Sequence, residues 1–164
     1  MNQQEKKAVI QYLYSIKRTE LAITNLERAI EDLETRRESP PVWMHNLDSV
    51  SVTGGMESSK QEAWVQFIEA YPERKSFLKD QLQQKQNKIQ QYNEIITALS
   101  REGNWGSLAA QIIRHRYIQR ISPDKAIYTL FLFCSESTFY KTHRQALKYF
   151  NDVLPKIKNT VLIQ

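Results

Sequence analysis

The run Ser135-Glu136-Ser137-Thr138-Phe139-Tyr140-Lys141-Thr142-His143-Arg144 concentrates side chains that can hydrogen-bond a polar, anionic polymer. Read at helical spacing, Phe139, His143, Ala146, Leu147 and Phe150 share an inward face, which leaves Glu136, Ser137, Thr138, Tyr140, Lys141 and Arg144 as the exposed early positions. The planar fork of Arg144 matches the acceptor edge of guanine, Glu136 can accept from the amino group of cytosine, and Ser137, Thr138 or Tyr140 can bond a base or a phosphate. Lys148, Arg114, Arg116, Arg120 and Lys125 flank this run and fit phosphate neutralisation, which positions a protein on a duplex without reading it.

The distribution of charge favours the same chemistry. From Arg101 to Gln164 there are ten Lys or Arg against four Asp or Glu, whereas residues 1–100 carry thirteen against fourteen. The surplus behind the net charge of +5 therefore belongs to one segment. A solvated helix face is the plain alternative for such a run, but here the charge gathers around a turn between two short helices, as in a helix-turn-helix that presents cations to a duplex. Catalysis has no comparable support: no nucleophile, base and orienting group form a recognisable set, no Gly-rich phosphate loop follows a strand, and no paired carboxylates stand out. No enzymatic activity and no cofactor are expected. The three His and one Cys lack zinc-site spacing, so no metal is expected either. Cys134 reads as a small turn residue, and His143 as a core histidine.

The elements that must position this module read as all-α. Four Gly and five Pro among many Gln, Lys, Glu, Leu and Ile favour helices over sheets, and 41% apolar with 25% charged residues fits a folded, soluble chain. From about Glu5 to Glu38 a heptad places Val9, Ile16, Ile23 and Ile30 in one set and Tyr12, Thr19, Leu26 and Leu33 in the other. A helix of that length runs roughly 50 Å at 1.5 Å per residue, which calls for a partner along its seam. Pro40-Pro41 end it. A polar loop over about 39–59 follows, in which Val50, Val52 and Met56 offer apolar docking points.

Ser59-Lys60-Gln61-Glu62 fits a capping box, so helix is expected to resume there. Trp64, Phe67, Ile68 and Tyr71 then form an apolar face, joined by Phe77, that packs against the first helix or the basic module. Pro72 permits a new start or a kink. A second heptad runs to Ser100, with Lys75, Leu82, Ile89 and Ile96 against Leu78, Lys85, Tyr92 and Leu99. The two heptads suggest an antiparallel pair, and periodicity leaves open whether it forms within one chain or between two. Gly103-Asn104 stops the second heptad helix, and Trp105-Gly106 sits at the junction. Helices are then expected over Ser107–Gln119, over Pro123–Phe133 with Ser122 as cap and Ala126, Ile127, Leu130, Phe131 and Phe133 mostly in the core, and from a Ser135 cap to about Val153, closed by Pro155. The expected organisation is a coiled-coil-like arm, residues 1–102, followed by a helix-turn-helix domain, residues 103–164.

Arg116-Tyr117 closing one helix, the helix after Ser122, and the run from Ser135 through Ala146-Leu147-Lys148 together resemble the C-terminal module of ArpU/RinA-type phage transcriptional regulators. That module is itself similar to region 4 of bacterial sigma factors. The two long helices with an intervening polar loop also match the family's layout, so the resemblance covers most of the chain. It implies a phage or prophage regulator that binds promoter DNA and activates late or morphogenesis genes. The chain departs from the family pattern where Trp-x-Glu-Ile-Ala is usual, reading Asp124-Lys125-Ala126-Ile127-Tyr128-Thr129-Leu130. That change removes acidic surface through which RNA polymerase would be contacted directly.

The expectation is therefore a sequence-specific transcription regulator, a homodimer through its helical arm, acting on double-stranded promoter DNA in the bacterial cytoplasm, with RNA polymerase as a further candidate partner. No membrane span is expected, since no apolar run approaches eighteen residues. The alternatives are a sigma-like polymerase adaptor and a coiled-coil scaffold whose basic end binds an acidic protein.

Overall fold

The computed structural model describes residues 1–40 and 56–154, with the side chains of 56–59 excepted. Every element among them is helical: α1 (Gln3–Glu38), α2 (Met56–Ser100), α3 (Gly103–Ile113), α4 (Asp124–Ala126) and α5 (Glu136–Val153), with π-helical turns at Arg114–Ile118 and Ile127–Phe131 extending α3 and α4. The chain is all-α, with a long N-terminal helix, as its composition and periodicity predict. Among the described residues no helix is long and apolar enough to cross a membrane.

α1 begins at a reciprocal cap that the first residues encode. The Glu5 backbone N–H donates to Asn2 Oδ1 at 2.7 Å and the Asn2 N–H donates to Glu5 Oε2 at 2.9 Å, satisfying donors that a helix start leaves unpaired. The helix ends at Glu38, just ahead of Pro40. α2 starts at Met56, three residues before the expected cap at Ser59, and runs unbroken through Pro72. The docking residues suggested at Val50 and Val52, the side chain of Met56, the closing Pro155 and the tail beyond it lie outside what is described.

The compact units divide within the long helices: Met1–Glu20 with Asn87–Gln164 form one, and Leu21–Gln86 the other. In the second, Glu34 and Lys75 pair at 2.6 Å, and the Arg36 and Arg37 guanidinium groups lie over the rings of Phe67 and Tyr71 at 4.4 and 4.6 Å. These contacts join α1 and α2 within one chain, which covalent connection favours by keeping the partner helix at high local concentration. Ile23, Leu26, Ile30 and Leu33 are only half-buried, as in a pair of helices without a third layer. Lys75 holds the Glu34 carboxyl below its usual range, and Phe67 and Tyr71 are buried while Phe77 stays exposed.

In the first unit, Val9, Leu13 and Ile16 of α1 and Tyr92, Ile95, Ile96 and Leu99 of α2 meet Ala109, Ala110 and Ile113 of α3 and Ala146, Leu147 and Phe150 of α5 in one apolar core. A smaller core joins Ile112, Ile127 and Phe139. α5 spans both, with its buried residues Phe139, Thr142, His143, Ala146, Leu147 and Phe150 on the face expected from their spacing. Its cap is the predicted one: Ser135 Oγ accepts from the Thr138 N–H at 3.2 Å, and Glu136 adds a favourable charge to the first turn. Gly103 takes a left-handed φ of 57° between α2 and α3, the conformation for which glycine carries no steric penalty.

The α4 region differs from expectation. Its N-cap is Pro123, with no side-chain bond from Ser122. Ile127 is buried, but Leu130, Phe131 and Phe133 are exposed by 67%, 49% and 85%. The reason is geometric: the helix ends in a wide turn closed by Leu132 N–H to the Ile127 carbonyl, and Phe133, at φ 48°, is turned outward. α3 ends in a similar way, with Gln119 N–H donating to the Arg114 carbonyl, Ile121 N–H to the His115 carbonyl, and Arg120 at φ 55°.

Polar bonds lock α5 to these turns. Tyr117 Oη lies 2.8 Å from His143 Nε2, and Arg116 Nη1 lies 3.5 Å from His143 Nδ1. A guanidinium can only donate, so Nδ1 accepts and Nε2 carries the proton, which it donates to Tyr117. Arg116 also pairs with Asp124 at 3.0 Å. Burial, followed by the charges of Arg116 and Lys6, pushes the His143 imidazole down to about 3, so the ring stays neutral, stacked on Phe139 and Tyr117.

Two outcomes follow from this packing. A Cβ on Gly106 would clash with the Leu99 carbonyl oxygen, so Gly106→Ala should destabilise the protein by about 1–3 kcal/mol in urea unfolding, and an unchanged midpoint would contradict that close approach. As pH falls from 6.5, unfolded His143 takes up a proton that the folded chain refuses until about 3, so folding is disfavoured by up to ~1.4 kcal/mol per pH unit across that window. His143→Phe removes this dependence; stability-versus-pH curves running parallel for the two proteins would refute the account.

Candidate nucleic-acid interface

The outward side of α5 follows from what its inward side buries. With Phe139, His143, Ala146, Leu147 and Phe150 in the cores, spacings of four, three and four residues place Ser137, Lys141, Arg144 and Lys148 in a single exposed stripe. The stripe covers eleven residue steps, about 16 Å of helix at 1.5 Å each. Tyr140 borders it, and Glu136 and Thr138 lie at its N-terminal edge, all three exposed.

The individual side chains differ in how far they are committed. Arg144 Nε donates to the Tyr140 carbonyl at 3.3 Å, which steadies the guanidinium while its two terminal nitrogens make no hydrogen bond to the described residues. That is the geometry of a fork held ready for a bidentate acceptor. Tyr140 packs edge-on against Phe139, and its hydroxyl donates to Asp124 Oδ2 at 3.5 Å. Thr138 serves the helix start, its Oγ1 accepting from Ser135 Oγ at 2.8 Å and its N–H occupying the cap. Lys141 and Lys148 point a charge outward without a salt-bridge partner among the described residues.

The expected phosphate contacts do not all gather here. Arg116 is half-buried and engaged by Asp124 and His143, so it acts as a strut beneath α5. Arg120 donates from Nη2 to the Tyr14 carbonyl at 3.4 Å and faces α1. Arg114 is exposed but close enough to Tyr92 for its charge to act on that buried phenol, which burial raises to about 12. Lys125 is exposed on α4, one residue beyond Asp124. The stripe on α5 is therefore continuous, and of the five flanking cations Lys148 alone belongs to it.

Sequence reasoning missed the exposed apolar group Leu130, Phe131 and Phe133 at the entrance to α5, because their periodicity is that of a core helix. It also missed the polar face of α1 that meets Arg120. The spacing of that face is visible in the sequence; what it meets is not. Burial raises the Cys134 thiol above its ordinary value, so it remains protonated near neutral pH and is not set up as a thiolate. Among the described residues, no three of His, Cys, Asp and Glu come together as metal ligands would.

No curated protein and no solved structure matches the chain. Residues 39–151, running from the end of α1 through nearly all of α5, match the family described as "Protein of unknown function (DUF1492)". With well over half of its length covered by that match, the chain belongs to the DUF1492 family.

Proposed function

We propose that this chain binds double-stranded promoter DNA by laying α5 in the major groove, and that it regulates transcription. The observation that carries the reading is the exposed stripe Ser137, Lys141, Arg144 and Lys148 on a helix whose opposite face is fixed in two cores. A groove about 12 Å wide admits such a helix, and an immobile backbone lets a side chain such as Arg144 discriminate base edges. The resemblance of the Ser135–Lys148 run to ArpU/RinA-type regulators supports a phage or prophage origin and activation of late or morphogenesis genes.

Two copies would read two half-sites, and dimerisation remains part of the proposal. Because α1 and α2 meet within the chain at Glu34–Lys75 and where Arg36 and Arg37 stack on Phe67 and Tyr71, the second copy would use another surface of the arm, where Val65 and Ile68 of α2 stand exposed three residues apart. A second reading, a sigma-like RNA polymerase adaptor, is favoured by the exposed Leu130, Phe131 and Phe133. These sit beside the DNA-facing helix, where a protein partner could bury them without blocking the groove.

Footprinting on the DNA that encodes the protein, followed by mobility shift with the protected duplex and a scrambled one, tests the proposal. Arg144→Ala should cost about 1–3 kcal/mol on the protected duplex and relax base preference at its position. Lys148→Ala should weaken both duplexes alike. With four to six phosphates neutralised, log affinity should fall against log salt with a slope of roughly −4 to −5. Equal retention of both duplexes at physiological salt would reject specific recognition.

A further inference from the structure

Beside the interface lies an open cleft of about 860 Å³, walled on one side by Gln11, Ser15 and Arg18 of α1 and on the other by Arg116, Arg120 and Ser122. We infer that this cleft is a second phosphate-binding surface, which grips the sugar-phosphate backbone of the duplex whose groove α5 enters. The inference rests on DNA binding by α5 and extends the footprint to the N-terminal helix.

Charge is the first argument. Three guanidinium groups face the cleft against the single carboxylate of Asp124, and that carboxylate is committed to Arg116 at 3.0 Å. Among the described residues neither Arg18 nor Arg120 has a carboxylate partner, so two positive charges remain for an anion. Arg120 is also held in place. Its backbone is left-handed, its Nη2 donates to the Tyr14 carbonyl at 3.4 Å, and its guanidinium lies 5.9 Å from the Tyr14 ring centre. A planar cation fixed in this way loses little freedom when it meets a phosphate.

Shape and position decide which phosphate. Gln11, Ser15 and Arg18 recur at four and three residues, so they share one face of α1 and line about 10 Å of wall, close to three base-pair rises of 3.4 Å. A wall of that length suits a polymer backbone better than one small anion. The cleft also adjoins the α5 surface, since Asp124 in its wall lies 3.5 Å from the Tyr140 hydroxyl. A strand leaving the groove at Tyr140 passes the cleft mouth, where Arg18 is exposed to receive it.

Fluorescence anisotropy with the full chain, on a footprinted and a scrambled duplex across a salt series, tests this with Arg18→Ala. The expected result is a salt slope shallower by about 0.9 per lost phosphate contact, with affinity reduced on both duplexes and base preference unchanged. Arg18→Glu should weaken both further, and Arg18→Lys should restore the slope. If wild type retains duplexes but Arg18→Ala leaves the slope as it was, the cleft assignment is overturned while DNA binding by α5 stands. Tight binding of inorganic pyrophosphate, lost in Arg18→Ala with no change in the duplex slope, would instead mark a small-anion site and also overturn it. No retention of any duplex by wild type would remove the reading of α5 itself, and this inference with it.

Discussion

A buried, neutral imidazole is the constraint on which the C-terminal half depends. His143 is placed between Phe139 and Tyr117 where a charged ring would be costly, and its two nitrogens are saturated by one donor and one acceptor from the same turn. Arg116 reaches past it to Asp124, so two separate stretches of chain are tied to α5 through four side chains. The apolar face of α5 sets which side turns inward. The hydrogen bonds are directional, and they fix that rotation more narrowly.

The result is a helix with two different sides. Inward, α5 bridges the larger core shared with α1 and α2 and the smaller one shared with α3 and the α4 turn. Outward, it offers cations and hydroxyls on a backbone that has little freedom left. A helix so anchored can present Arg144 in a reproducible place, which is what discrimination between base edges would require. The same anchoring explains why Arg116, basic and in the right neighbourhood, is a poor choice for a phosphate ligand. Its charge is already used to hold the structure beneath the surface.

The long helices show a similar division between pattern and outcome. Heptad residues such as Ile16, Ile96 and Leu99 are fully buried where further helices cover them, whereas Ile23, Leu26 and Leu33 are half-buried in the hairpin. Identical periodicity thus produces different burial, because burial depends on how many layers surround a seam. The pairing of Glu34 with Lys75 ties the two helices together within the chain. The left-handed residues Arg120 and Phe133 mark the other departures from pattern, each where a wide turn reverses the chain.

The helical class, the Ser135 cap, the buried side of α5 and the stop at Gly103 were legible from residue spacing, since these depend on interactions within a few residues of one another. Leu130, Phe131 and Phe133 were misread as core because spacing reports a common face and not whether anything covers it. Ser122 was misread as a cap because it stands one residue too early. The capture of Arg116 by Asp124 and His143, and the meeting of Arg18 with Arg120 across one cleft, involve partners 8 to more than 100 positions apart. Local chemistry set by neighbouring residues is written in the sequence. Which distant charge is neutralised and which is left facing solvent was decided only when the chain folded, because electrostatic pairing depends on distance through space.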